Sequence, residues 1–187
     1  IAGTDRSISL AELVATGTDL GGEAIFSTNS PTFPNGTHVC EVEIDPETGR
    51  VAVVRYTTVD DVGNVICPQL LEGQIQGGVV QGIGQALMEA VLFDPATGQN
   101  LTGSFMDYAM PRSNTIPPIN TVITEYPASS HPLGIRPGGE GGTTPALGAL
   151  INAVVDALSE FGITHIDMPA TPERVWRAIQ ATQITDT

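Results

Sequence analysis

The chain has 187 residues, 41% of them hydrophobic, so it is long and apolar enough for the packed core of one ordinary domain or two small ones. Acidic residues number 21 against 7 basic ones, all arginine, and this negative balance argues against binding to nucleic acid or to an anionic membrane. No apolar run reaches the roughly 18 residues that a membrane-spanning helix needs. The 2 cysteines are too few for a disulfide framework or an iron–sulfur cluster.

The first part of the sequence predicts a short helix and then a β-hairpin. Ser9 and Glu12 have the spacing of a capping box, which predicts a helix directly after Ser9. Apolar and polar residues alternate over 39–44, a turn containing Pro and Gly follows at 45–50, and a β-rich run covers 51–59. These features predict two antiparallel strands joined by a tight turn.

A long helix is predicted from Pro68 to about Phe93, because apolar residues recur there with helical spacing. A turn at 94–99 closes it. Each glycine within a helix costs about 1 kcal/mol relative to alanine. We therefore expect another backbone or a ligand to approach this helix closely. Its glycines are Gly73, Gly77, Gly78, Gly82 and Gly84.

The second half of the sequence adds one strand and two helices. A strand is predicted at 119–126, a loop rich in Pro and Gly at 127–142, and a helix at 143–161. Thr171 is the expected cap of a last helix, which extends to Gln180. A hairpin followed by helices and a further strand predicts the α+β class.

The glycine-rich loop at 134–144 contains the first candidate functional residue. Glu140 is the only acidic residue between Glu125 and Asp156, and glycines flank it on both sides. Glycines let a ligand approach the main chain, and the start of a helix favours negative charge. On composition alone, however, a helix N-terminal carboxylate in a flexible loop explains Glu140 better than a catalytic role does.

Gln74 is the second candidate, at the glycine-rich start of the long predicted helix. Its amide offers both a donor and an acceptor, which together can bind the edge of a heterocycle. The alternative, which composition alone favours, is close helix packing with surface glutamines. His38, on the first predicted strand, is expected to be a packed or surface residue rather than a ligand.

Taken together, several motifs are specific. They are His38–Asp45 with Thr48-Gly49, Asp61-Val62-Gly63, Gly73-Gln74 ahead of Gly77, Gly139-Glu140, and His165–Pro169 with Thr171–Trp176. In this combination the chain resembles the C-terminal part of the molybdenum-binding large subunit of the xanthine oxidase family. The closing segment resembles most the bacterial members similar to CO dehydrogenase.

The resemblance also implies how the chain is organised. Residues 1–30 look like a linker found inside those subunits, and residues 31–187 look like the C-terminal part of a molybdopterin-binding domain. The chain opens with Ile1 and no charged-then-apolar leader. We therefore expect a segment of a larger polypeptide or one piece of a split subunit, although an arbitrary starting point explains the opening equally well.

The resemblance implies a role for each matching site residue. Glu140 corresponds to the family's general base, which takes a proton from a hydroxyl bound to molybdenum. Gln74 corresponds to a glutamine whose amide contacts the pterin. Gly138 and Gly139 would let the loop approach the ligands of the metal, and Asp61 is placed near the cofactor. No side chain of this chain is expected to bind the metal itself.

The function implied is the base-bearing part of a molybdenum hydroxylase that oxidises CO, an aldehyde or an N-heterocycle with oxygen from water. The implied cofactor is a molybdenum-pterin, in the molybdopterin cytosine dinucleotide form. Iron–sulfur clusters and FAD are expected on partner chains or domains. Another chain should carry the rest of the molybdenum site, and the expected location is cytoplasmic.

Two other interpretations stay open. Pro137 stands where the family usually has glycine, and with the short length it favours a non-catalytic fragment that stabilises such a complex around a decayed site. The intact Gly139-Glu140 and Gln74 favour the enzyme. A third interpretation is a small α+β binding module whose glycines serve packing. Cys67, where asparagine is common, is expected to be a small buried residue.

Overall fold

A computed structural model describes residues 2–27 and 30–185, except for the side chains of residues 184 and 185. The chain order is α1 (Leu10–Ala15), β1 (Asn35–Asp45), β2 (Arg50–Asp61), α2 (Pro68–Leu87), β3 (Ile119–Thr124), α3 (Thr143–Leu158), a 3-10 turn (Ser159–Phe161) and α4 (Pro172–Thr185). These elements confirm the predicted α+β class. Of the expected linker-like segment, residues 1, 28 and 29 lie outside the described residues. Within the described ranges, no helix is long and apolar enough to cross a membrane.

The sheet has three strands in the order β1–β2–β3. The first two form the predicted hairpin, with Asn35 opposite Asp61 at one end and Asp45 opposite Arg50 at the other. The third strand runs parallel to β2. A parallel neighbour needs a crossover connection, which residues 62–118 supply by way of α2. This crossover places the start of α2 beside the end of β2.

Helices α2 and α3 pack against each other, and α3 also packs on β1. Glycines permit the close contact between the two helices, since a Cβ atom at Gly82 would lie 2.5 Å from the Cβ atom of Ala146. By contrast, no atom lies within 4 Å of the Cβ positions of Gly73 and Gly77. Helix packing therefore accounts for only some of the glycines in α2. The largest fully buried core side chains include Tyr56, Ile75, Ile83, Leu150, Leu158 and Ile179.

The end of α2 differs from its predicted position. The helix stops at Leu87 rather than near Phe93. The carbonyl of Ala86 accepts a hydrogen bond of 2.7 Å from the N–H of Ala170, on the segment that leads to α4. Phe93 instead pairs with Asn100 in an isolated β-bridge across the predicted turn. A contact with the distant Ala170 and a bridge across the neighbouring turn thus replace the predicted helix beyond Leu87.

The last two helices begin and end mostly where neighbouring residues predict. α3 ends in the 3-10 turn, and Gly162 takes the left-handed conformation with φ +74°, as expected for a residue that ends a helix. The N–H of Arg174 donates to Oγ1 of Thr171 at 3.3 Å, which confirms that residue as the cap of α4. α4 continues past the predicted end at Gln180 to Thr185.

The start of α2 corrects the expectation for one cysteine. Cys67 is exposed rather than buried, because it stands ahead of Pro68 at the first turn of the helix and its side chain makes no capping hydrogen bond. Leu70, one turn further on, is 74% exposed. This end of α2 therefore presents apolar side chains at the surface of the described chain.

Candidate functional site

Glu140 lies in the loop that leads into α3. Its carbonyl oxygen accepts a hydrogen bond of 3.1 Å from the N–H of Thr144 in the first turn of that helix. Its side chain is exposed and lines a cavity of about 310 Å³. The other residues lining the cavity are Pro34, Asn35, Gly36, Asp60, Gly141, Thr144 and Pro145. The carboxylate thus stands at a helix N-terminus, where negative charge is favoured, beside a space that can hold a ligand.

Gln74 is held next to this loop. Its Nε2 atom donates a hydrogen bond of 2.8 Å to the carbonyl of Gly139, the residue before Glu140. This is the only hydrogen bond of the Gln74 side chain within the described part of the protein. Gln74 and Gly139, 65 positions apart in sequence, therefore lie together, and Oε1 of Gln74 remains available as an acceptor.

The two glycines before Glu140 have different surroundings. A Cβ atom at Gly138 would lie 2.9 Å from Cδ1 of Leu71, so this glycine lets the loop pack closely on α2. At Gly139, no atom lies within 4 Å of the Cβ position. Gly139 therefore leaves the main chain open to a ligand, whereas Gly138 serves the contact between loop and helix.

Asp61 lies apart from Glu140, in a buried set of hydrogen bonds. Its carboxylate accepts hydrogen bonds from the N–H groups of Gly63 at 2.9 Å and Tyr126 at 3.0 Å. β3 ends at Thr124 rather than at the predicted Tyr126, whose N–H is bonded to Asp61 instead. Nε of Arg136 lies 3.4 Å away. Burial alone raises the pKa of Asp61, but the Tyr126 and Gly63 N–H groups, the Arg136 charge and the Asn35 side chain outweigh it, and the pKa is lowered.

Arg136 belongs to the Glu140 loop but is directed away from that carboxylate. Besides the contact with Asp61, its guanidinium donates to the carbonyl of Tyr126 at 3.2 Å and to that of Phe33 at 2.9 Å. The loop is therefore fixed at Arg136 to the end of β2 and to the segment before β1. Asp61 and Arg136 position the loop, and neither lines the cavity of Glu140.

A buried polar group that the sequence analysis missed lies behind the cavity. Oδ1 of Asp60 is 3.4 Å from Nε2 of His38, and Nδ1 of His38 is 3.0 Å from the hydroxyl of Tyr56. His38 is packed, with a fully buried side chain, and the Asp60 side chain is 6% exposed. No signal in the sequence indicates this pairing, because a regular hairpin from the predicted turn would place His38 opposite Thr57. A register shift between Glu41 and Val42 places it opposite Thr58 instead.

The Tyr56 hydroxyl is a weak acid in this position. Burial, followed by the charges of Cys40 and Asp60, raises its pKa. The phenol therefore stays protonated at neutral pH and remains a hydrogen-bonding partner of the His38 ring.

Comparison with known proteins identifies the family to which this fold belongs. The family model of the molybdopterin cofactor-binding domain matches residues 1–117. The chain belongs to this family. Its relatives place it among the molybdenum-binding large subunits of the xanthine oxidase family.

Two relatives illustrate the relationship in sequence. The nicotine 6-hydroxylase large subunit of Paenarthrobacter nicotinovorans is 45% identical over 82% of this chain and 19% of its own length. The carbon monoxide dehydrogenase large chain of Hydrogenophaga pseudoflava is 37% identical over 88% of this chain and 20% of its own length. The chain therefore spans about a fifth of the length of these relatives.

Solved structures show the same relationship. Quinoline 2-oxidoreductase from Pseudomonas putida 86 matches with a TM-score of 0.76 and 40% identity, over 79% of this chain and 19% of that one. The Cu,Mo-CO dehydrogenase in its carbon monoxide reduced state matches with a TM-score of 0.77 and 31% identity, over 81% of this chain and 19% of that one. The fold is thus that of a segment of these large subunits.

The residues present fit part of a molybdopterin site. Gly73, Gly77 and Gly139 have open space at their Cβ positions, so the main chain there is accessible to a ligand. Gln74 supplies an amide edge suited to a flat polar heterocycle. Among the described residues, no group of three or more His, Cys, Asp or Glu side chains could hold a metal ion. The groups that such a site could use here are the main chain at these glycines, the Gln74 amide and the Glu140 carboxylate.

Proposed function

We propose that this chain supplies the general base, Glu140, to a molybdenum hydroxylase that acts on an aromatic N-heterocycle. The observation that carries the proposal is the 2.8 Å hydrogen bond from Gln74 to Gly139. It joins the candidate cofactor contact to the loop of the candidate base. Such a joint position is what a reaction between a bound cofactor and a substrate requires.

The substrate class rests on the two relatives with high identity. Nicotine 6-hydroxylase and quinoline 2-oxidoreductase are named for substrates that contain an aromatic nitrogen ring, at 45% and 40% identity respectively. The CO dehydrogenase large chain is 37% identical. The N-heterocycle is therefore our first choice, and CO and aldehydes remain the alternatives.

In this mechanism the chain's residues bind the cofactor, position the Glu140 loop and accept a proton. The bound cofactor supplies molybdenum redox chemistry that transfers oxygen from water to the substrate. Glu140 accepts the proton released in that step on its carboxylate, at the mouth of the cavity. Gln74 and Gly139 bind the pterin edge, and Gly138 keeps the loop close to α2. The contacts of Asp61 support a role in positioning this loop near the cofactor.

The assembled enzyme needs more than this chain. The chain covers about a fifth of its relatives' length, and one relative is named as a subunit of the 6-hydroxypseudooxynicotine dehydrogenase complex. We therefore propose that another polypeptide segment carries the rest of the molybdenum site and that partner subunits carry iron–sulfur clusters and FAD. The cytosine dinucleotide form of the cofactor and a cytoplasmic location stay predictions.

The direct test uses the complete assembly, purified from its source. Molybdenum is measured per copy of this chain, and nicotine and quinoline are offered in water labelled with heavy oxygen. The proposal expects about one molybdenum per chain and label in the hydroxylated product. A folded, metal-free assembly that hydroxylates neither substrate would instead support the non-catalytic fragment with a decayed site.

A further inference from the structure

We propose that the cavity of Glu140 binds an organic cation, and that Asp60 pairs there with a protonated amine of the substrate. This inference rests on the proposed function and narrows its substrate class to N-heterocycles that also carry a basic, protonated nitrogen. Asp60 selects and orients the heterocycle, whereas Glu140 accepts the proton released in the reaction.

The first support is the sign of the charge in the cavity. Its lining, as formed by the described residues, contains two acidic side chains, Asp60 and Glu140, and no basic one. Two residues of α3 reach the cavity, but the N–H of Thr144 is already bonded to the carbonyl of Glu140 at 3.1 Å and Pro145 has no N–H. The start of this helix therefore offers little to an anion, and the two carboxylates favour a cation.

The second support is the way in which Asp60 meets the cavity. Its side chain is only 6% exposed, and two glycines of the lining lie next to its Oδ1 atom. A Cβ atom at Gly36 would overlap Oδ1 of Asp60, and one at Gly141 would lie 3.9 Å from it. Because both positions lack a side chain, the carboxylate is open to a ligand that enters the cavity.

The third support is that Asp60 lacks a cationic partner within the described part of the chain. Nε2 of His38 donates a hydrogen bond to Oδ1 of Asp60 at 3.4 Å. In the neutral ring Nδ1 is then an acceptor, and the Tyr56 hydroxyl, 3.0 Å away, is its donor. His38 thus supplies one hydrogen bond and no charge, and Oδ2 of Asp60 has no hydrogen-bond partner among the described residues. A buried carboxylate is costly unless it is paired, and a bound cation supplies the pairing.

The surroundings favour an organic cation over a metal ion. No group of three or more His, Cys, Asp or Glu side chains in the described ranges could hold a metal ion. Pro34 and Pro145 add apolar surface to the lining, and the volume of about 310 Å³ is at the lower end of the range for small-molecule sites. An amine carried on a small apolar ring matches both the carboxylates and the prolines.

The test measures binding rather than turnover. The complete assembly is reduced beforehand, so that nicotine binds without being oxidised, and molybdenum is measured on every sample. Nicotine carries a protonated pyrrolidine nitrogen at neutral pH, whereas cotinine has a neutral lactam in the same position. We expect the parent to bind nicotine at least about tenfold more tightly than cotinine, the effect of one hydrogen bond between charged groups. Equal affinities would overturn the proposal, and this comparison needs no variant.

Asp60→Asn tests whether one side chain carries the preference. Asparagine keeps the shape of aspartate and can still accept the bond from His38, but it has no charge. Nicotine should bind this variant at least about tenfold more weakly, and cotinine should bind within about twofold of the parent. Asp167→Asn is the matched control, because it removes one negative charge from a side chain that is 82% exposed and lies outside the cavity. A preference for nicotine that survives in Asp60→Asn, or that is lost equally in Asp167→Asn, would contradict the role of Asp60.

Glu140→Gln separates this proposal from the proposed function. The general-base role predicts that this variant loses turnover, while its reduced assembly should still bind nicotine more tightly than cotinine because Asp60 is intact. If the variant turns over normally and prefers nicotine, only the general-base role fails. If it is inactive and the parent binds nicotine and cotinine equally, only the cation site fails.

Discussion

Nε of Arg136 lies 3.4 Å from Oδ2 of Asp61, and this ion pair joins the end of β2 to the loop that carries Glu140. The Asp61 carboxylate also receives N–H groups from Gly63 and Tyr126. Three separate parts of the chain therefore meet at one buried acid. The position of Glu140 depends on this junction, although Asp61 itself lines a different cavity.

This junction predicts a specific dependence of stability on pH. Because the pKa of folded Asp61 lies below its unfolded value of about 3.9, its contribution is fully present above that pH and disappears as the pH falls through the folded pKa. Asp61→Asn should lower the free energy of unfolding at pH 7 by about 1 to 3 kcal/mol. Urea unfolding across the acid range should show the difference shrinking below about pH 4. A constant difference at all pH values would contradict this role.

The glycines of α2 predict opposite effects of one substitution. Gly82→Ala should destabilise the chain by about 1 to 3 kcal/mol, because its Cβ atom would lie 2.5 Å from Ala146. The matched Gly77→Ala meets no atom within 4 Å and should stabilise the chain by up to about 1 kcal/mol through helix propensity. Urea unfolding of the two variants side by side measures both. Equal effects would show that helix packing does not distinguish the two positions.

The hydrogen bond between Gln74 and Gly139 predicts an effect on cofactor retention. Gln74→Met keeps the side-chain length but removes the amide, so the Glu140 loop loses its bond to α2. We expect less molybdenum per chain in the purified assembly and faster amide hydrogen exchange at Gly141 to Thr144. Gln76→Met is the control, because among the described residues the Gln76 amide bonds only to Glu72 of the same helix, at 3.0 Å. Equal molybdenum contents in the two variants would show that Gln74 is not part of the proposed cofactor site.

The two cysteines should differ in reactivity. Burial, and after it the charge of Glu41, raises the pKa of Cys40 to about 12, so its thiolate is rare at neutral pH. Cys67 is exposed. In the folded chain a thiol reagent at pH 8 should modify Cys67 rapidly and Cys40 only after urea is added, which mass spectrometry of the labelled peptides distinguishes. Rapid labelling of both in the native chain would contradict the burial of Cys40.

Local signals predicted the elements that depend on neighbouring residues. The capping box at Ser9, the hairpin turn and the left-handed Gly162 all follow from residues a few positions apart, and each is present. The predicted end of α2 was wrong, because a hydrogen bond from Ala170 and a bridge between Phe93 and Asn100 determine where the helix stops. The contact with Ala170 joins residues far apart in sequence, and neither interaction leaves a periodic pattern in the sequence.

The site could be predicted only in part for the same reason. Glu140 and Gln74 came from a family resemblance, whereas their joint position depends on how the loop packs on α2 through Gly138. Asp60 was passed over in favour of Asp61, because only the register shift between Glu41 and Val42 turns His38 to the face of β2 that carries Asp60. The resemblance therefore identified candidate site residues, and the fold showed which residues lie next to them.

The measurement that tests the central claim most directly is turnover by Glu140→Gln in the complete assembly, with molybdenum measured per chain. Removal of a general base costs about 100- to 10,000-fold in rate. The account predicts molybdenum content near that of the parent and loss of nicotine hydroxylation on this scale. Turnover equal to the parent's at equal molybdenum content would contradict the assignment of Glu140 as the base.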